Sequence, residues 1–73
     1  MFTIEFVVAR GRPTPGVVDV FKSETFQLAD AEISARSMLE KVKAKWPKTP
    51  PDGYQIKDYK GNVLLRSWEQ RQP

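Results

Sequence analysis

Only one stretch of this chain is long and periodic enough to demand a helix: Asp30 to Trp46, DAEISARSMLEKVKAKW. Ala31, Ala35, Met38, Leu39, Val42 and Trp46 recur at three- and four-residue steps, which lays a single apolar stripe along a helix. Glu32, Arg36, Glu40 and Lys43 run beside it at spacings that permit intrahelical ion pairs. Asp30 is the expected N-cap, its carboxylate accepting from free N–H groups of the first turn, with Leu28 as an upstream staple. Lys41, Lys43 and Lys45 suit the negative end of the helix dipole. Pro47 ends the helix by disfavouring helical geometry at Trp46. Ile33 is the misfit, an apolar side chain directed away from the stripe. A lone helix with one apolar stripe needs a sheet to cover it, and the remaining segments supply the strands.

Phe2 to Ala9 alternates. Phe2, Ile4, Phe6 and Val8 form the expected core face, and Thr3, Glu5, Val7 and Ala9 the other. Arg10-Gly11-Arg12-Pro13-Thr14-Pro15-Gly16 cannot continue a ladder and reads as a wide hairpin loop with an exposed basic tip. Val17 to Lys22 is the second strand, with Val18 and Val20 on one side and Val17, Asp19 and Phe21 on the other. A bulge near Ser23-Glu24 would return Phe26 to the core face. After the helix, the prolines of Pro47 to Gly53 hold an extended connection that turns at Asp52-Gly53. Tyr54 to Tyr59 is the third strand, and Val63 to Trp68 the fourth. The hairpin between them should carry Gly61 in the left-handed region. Residues 1–68 thus form one domain, followed by a flexible tail over 69–73.

A right-handed crossover makes strands two and three parallel in direction, so strand one fits between them. The expected fold is α+β: a ββαββ chain with a four-stranded antiparallel sheet in the order 2-1-3-4 and the helix packed on one face.

Composition narrows the chemistry. The 73 residues include no cysteine and no histidine. That excludes a disulfide framework, thiolate metal sites, and the commonest metal ligand and general base. A single core of this size provides on the order of 3–5 kcal/mol. Stability must therefore come from close packing or from self-association. The net charge of +3 arises from twelve bases interspersed with nine acids, less one-sided than is usual for a dedicated nucleic-acid binder. No charged leader with an apolar run and a cleavage site is visible at the N-terminus, and no apolar run approaches the ~18 residues of a membrane span. Cytoplasmic residence without membrane association is the expectation.

No nucleophile–base pair, phosphate-binding glycine loop or metal-ligand spacing is present, so no catalytic residue, metal or cofactor is expected. Asp19, Glu24, Asp52 and Asp58 are spaced like ordinary solvated turn and strand residues. No stretch matches the motif of a functionally characterised family. Function is then expected on the sheet face that one helix leaves bare. Val7, Phe21, Lys57, Tyr59, Arg66 and Trp68 are the candidates there, joined by Arg10 and Arg12 on the loop tip and by the solvent-directed Ile33. Apolar residues beside cations on an open sheet suit a protein partner or a second copy of the chain, as in a homodimer. The same residues suit a nucleic acid less well, through stacked bases and phosphate contacts. Such contacts would gain if the loop arginines adjoined Lys41, Lys45 and Lys48 at the helix end. Trp46 and Phe26 read as core residues.

Overall fold

The computed structural model of the chain describes residues 1–69. Strands β1 (Phe2–Val8) and β2 (Gly16–Ser23) lead into helix α1 (Leu28–Lys45), and strands β3 (Gly53–Lys57) and β4 (Val63–Arg66) follow. A 3-10 turn, Ser67–Glu69, closes the described chain. The four strands form one antiparallel sheet in the order β2-β1-β3-β4, with α1 against β1 and β3. This is the ββαββ architecture expected from the sequence. Of the tail expected over 69–73, Glu69 belongs to the 3-10 turn, and residues 70–73 lie outside the described residues.

The core is a dry layer between helix and sheet. Ile4, Phe6 and Ile56 meet Ala31, Ala35 and Val42 there, with Phe2, Leu28, Met38, Leu39 and Leu65 packed around them. Two alanines on the inner face let the helix approach the sheet closely. Phe6 is fully buried, and its ring lies edge-on to Phe21 at 5.6 Å and to Tyr54 at 6.5 Å between centroids. The Tyr54 hydroxyl donates to Glu32 Oε2 at 3.3 Å. Ion pairs Arg36–Glu32 and Lys43–Glu40 run along the helix as their spacing predicts. Gly61 takes a φ of 88° in the β3–β4 turn.

Several expectations are corrected. The helix begins at Leu28, with Gln27 at the N-cap position. Asp30 therefore sits inside the first turn, and the Thr25 hydroxyl oxygen instead accepts from Gln27 N–H. Phe26 follows the end of β2 and is 86% exposed, because no bulge at Ser23-Glu24 returns it to the core. The bulge lies elsewhere. Phe6 is opposite Asp19, but Val7 is opposite Val17, which leaves Val18 as an extra residue in β2. That insertion reverses the parity of the strand's first half relative to its second. Phe21, expected on the bare face, is opposite Ile4 and packs into the core. Val17 and Val20 face away from the helix and are 51% and 46% exposed. Trp46 lies beyond the last helical residue and is an exposed C-cap rather than core. β3 ends at Lys57, so Tyr59 stands in the following turn.

The free edge of β2 is partly closed. Val7 accepts at its carbonyl from Asp52 N–H, so its main chain faces β3. By alternation along the strands, the main-chain groups of Phe6 and Asp19 face each other and those of Val20 point outward. The Val20 N–H is taken by Asp19 Oδ1 at 2.9 Å.

Candidate functional site

The sheet face opposite α1 is built from three rungs. Lys22, Thr3 and Lys57 form the first, Val20, Glu5, Gln55 and Arg66 the second, and Val17, Val7 and Gly53 the third. The second rung is a connected polar ladder. Gln55 Nε2 donates to Glu5 Oε1 at 2.6 Å, and Arg66 Nε donates to Gln55 Oε1 at 3.4 Å. Lys57 Nζ reaches Glu5 Oε1 at 3.3 Å, and Arg66 Nη1 pairs with Glu69 Oε2 at 3.4 Å. Gln55 is buried at 7% exposure, so its amide is tolerated because both ends are bonded.

The third rung explains why Val7, a candidate for the exposed face, is fully buried. Gly53 opposite it has no side chain, and the 3-10 turn folds into that space. A Cβ at Gly53 would lie 2.7 Å from Ser67 Oγ and 3.2 Å from the Trp68 ring. Ser67 Oγ accepts from Tyr54 N–H at 3.0 Å, which anchors the turn. Trp68 is consequently half-buried on the bare face rather than extended from β4.

The loop between β1 and β2 is held by Asp52. Its two carboxylate oxygens accept from Ala9 N–H and Arg10 N–H, each at 2.9 Å. Partial burial works against its ionisation, but these two donors and the nearby Arg10 charge outweigh it and hold the carboxyl below its ordinary value. Arg12 N–H then donates to Ala9 carbonyl at 3.2 Å, and Gly11 supplies the positive φ of 73° the tight turn requires. The turn separates the two arginines. Arg10 enters a cleft of about 250 Å³ with Ala9, Asp52 and Trp68. Arg12 enters another of about 260 Å³ lined by Val8, Val17, Val18, Trp46 and Thr49.

The second cleft has a rigid wall. The Trp46 indole N–H donates to Asp19 Oδ2 at 3.0 Å, and Lys45 Nζ pairs with the same oxygen at 3.2 Å. The ammonium also lies 5.8 Å from the indole centroid. Asp19 is held below the ordinary carboxylate value chiefly by the Trp46 N–H; burial works against this, and Lys45 and the Val20 amide add to the lowering.

The structure thus brings Arg10 to Trp68, and Lys57 and Arg66 into one ladder. The loop also meets the helix end, through Arg12 and Trp46. Tyr59 is 80% exposed with Lys60 Nζ 5.6 Å from its ring centroid, at the end of β3 away from Arg10. Ile33 is 62% exposed on the helix and belongs to a different surface. Asp19, Asp52 and Asp58 are organising acceptors rather than loosely solvated residues. Asp58 gathers the Lys60 and Asn62 amides of the β3–β4 turn, and the Asn62 donor above all keeps its carboxyl low. Sequence reasoning gave no role to Glu5, Gln55, Asp19 or Asp52, since a polar strand or loop residue carries no local sign of the distant group it will meet.

Among the described residues, no group of three acidic, histidine or cysteine side chains is placed to hold a metal ion, and no helix is long and apolar enough to cross a membrane. No protein-family model, curated protein or solved structure matches the chain.

Proposed function

We propose that this chain is a non-enzymatic module that binds another protein through the β2 side of its bare sheet face. One observation carries this reading. Val17 and Val20 stand half-exposed on that face, whereas Lys57 and Arg66, two of the cations a nucleic acid would draw on there, are engaged by Glu5 and Glu69. Phosphate binding draws on several available cations; an apolar strip bordered by a satisfied polar ladder suits a protein surface, apolar at its centre and polar at its rim. Strand addition at β2 is the less favoured mode, because the Val20 amide is already bonded to Asp19. A second copy is also less favoured. Lys22 on this face has no carboxylate partner among the described residues, and two like faces would set such charges against each other.

Photo-crosslinking tests this. With a benzophenone side chain at Val20 or at Ile33 in the producing cell, a discrete protein adduct is expected from position 20 and not from position 33. An adduct of twice the chain mass would assign the face to self-association. An adduct to nucleic acid, or equal labelling from both positions, would overturn the proposal.

A further inference from the structure

The geometry points to the Arg12–Trp46 cleft as a binding site for an acidic–apolar peptide segment, one in which an Asp or Glu stands next to a large apolar side chain. It deepens the protein-binding reading and rests on it, since the cleft shares Val17 with the bare face.

The cleft supplies two kinds of contact side by side. Val8, Val17, Val18 and the Trp46 ring offer an apolar wall, and Arg12 and Thr49 offer donors. Arg12 has no carboxylate partner among the described residues. Its guanidinium is free to take a carboxylate through two parallel N–H bonds, with the Thr49 hydroxyl as a further donor. Gly16 makes that position possible: Arg12 Nη1 lies 2.5 Å from where a Cβ on residue 16 would stand. The opposite wall is fixed in advance, because Asp19 holds both the Trp46 indole N–H and the Lys45 ammonium. A wall already in place lowers the ordering cost of binding.

Size and charge select the occupant. At about 260 Å³ the cleft falls short of the ~300–1,000 Å³ usual for small-molecule sites. It matches one apolar side chain with a neighbouring carboxylate. Among the described residues, Arg12 is the one cation lining it, and nearby Lys45 is paired with Asp19. A polynucleotide would find too few cations there for its successive phosphates.

The test uses the full chain and reads the Trp46 indole N–H and Arg12 Nε–H resonances by NMR. The probes are an end-capped heptapeptide with a central Glu-Leu, its Gln-Leu and Glu-Ser counterparts, and an oligothymidylate. The Glu-Leu peptide is expected to shift both resonances saturably. Arg12→Gln should weaken it about tenfold or more, the equivalent of one charge-assisted bond. Gly16→Ala should weaken it severalfold by displacing the guanidinium while leaving the fold intact, since only a flexible side-chain end must move. Equal binding of the Gln-Leu peptide, indifference to Arg12→Gln, silence of both resonances at millimolar peptide, or oligothymidylate binding in place of the peptide would each overturn the assignment. Any of these results would leave the crosslinking test at Val20 unaffected, so the two readings fail separately.

Discussion

The two faces of the sheet are made from alternate residues of the same strands, yet they are held in different ways. Toward the helix, Ile4, Phe6, Phe21 and Ile56 pack against Ala31, Ala35 and Val42 in an apolar cluster. Away from it, Glu5, Gln55, Lys57 and Arg66 are joined by directional bonds, and Trp68 and Ser67 fill the space over Gly53. The first arrangement draws on apolar burial, which is worth about 1.5–3 kcal/mol for each large side chain. The second rests on partly buried hydrogen bonds and ion pairs, a typical intramolecular hydrogen bond being worth about 0.5–1.5 kcal/mol net. A small domain can therefore place its stability on one face and leave the other free to change.

The strongest challenge to that division is Phe6→Ala. Truncating a fully buried phenylalanine costs about 3–5 kcal/mol, as much as a core of this size provides. The variant should lose its cooperative urea transition by circular dichroism. A well-folded Phe6→Ala protein would mean that the bare face contributes far more than assigned here.

A smaller effect is expected in acid. Asp52 has a folded-state pKa below that of the unfolded chain, so the unfolded chain binds more protons as pH falls. Its stabilisation is complete above the ordinary carboxyl value of about 3.9 and is lost as pH drops through the lower folded value. Asp52→Asn should be destabilised by about 1–2 kcal/mol at pH 7. It should also lose less than the parent between pH 5 and pH 3, as measured by urea titrations at each pH. Parallel profiles for the two proteins would show that the loop clamp contributes nothing through its charge.

The smallest effect belongs to the exposed strip. Val20→Thr keeps the β-branched shape and should change stability by no more than about 0.5 kcal/mol, while removing an apolar contact from the proposed partner surface. A larger loss by thermal denaturation would place Val20 in the structural half of the molecule.

Much of this organisation was legible in the residues. The periodic stripe from Ala31 to Val42 and the alternation of Ile4 and Phe6 defined the core face. Handedness of the crossover then ordered the sheet, because a chain with two hairpins about one helix has few other solutions. The faces of β2 were not legible, since one extra residue at Val18 exchanges inside and outside and nothing in VVDVFK marks it. Val7 lies on the face away from the helix, as expected, but is buried there for a nonlocal reason: the turn carrying Ser67 and Trp68 folds over Gly53 beside it. At the helix start, Thr25 and Asp30 are both good capping residues. The Thr25 hydroxyl instead accepts from Gln27 N–H and contacts the Asp30 carboxylate at 3.4 Å, while the N-cap Gln27 side chain bonds to no backbone group of the first turn. Among the candidate site residues, Arg10 and Arg12 reached clefts through the Gly11 turn, and Trp68 through the 3-10 turn that folds over Gly53. Phe21 went instead to the helix side, where it lines a different cleft with Met38, Lys41, Val42 and Lys45, owing to the bulge, and Tyr59 stands in the turn after the early end of β3.

Asp19 joins two hazards that are usually separate. Its carboxylate fastens the helix end through Lys45 and Trp46 and also occupies the outward amide of Val20. Fraying at the last helical turn and exposure of a strand template are thereby linked events. Because the Trp46 indole N–H above all holds this carboxyl below its ordinary value, both attachments persist until the pH falls below the ordinary carboxylate range and are then lost together.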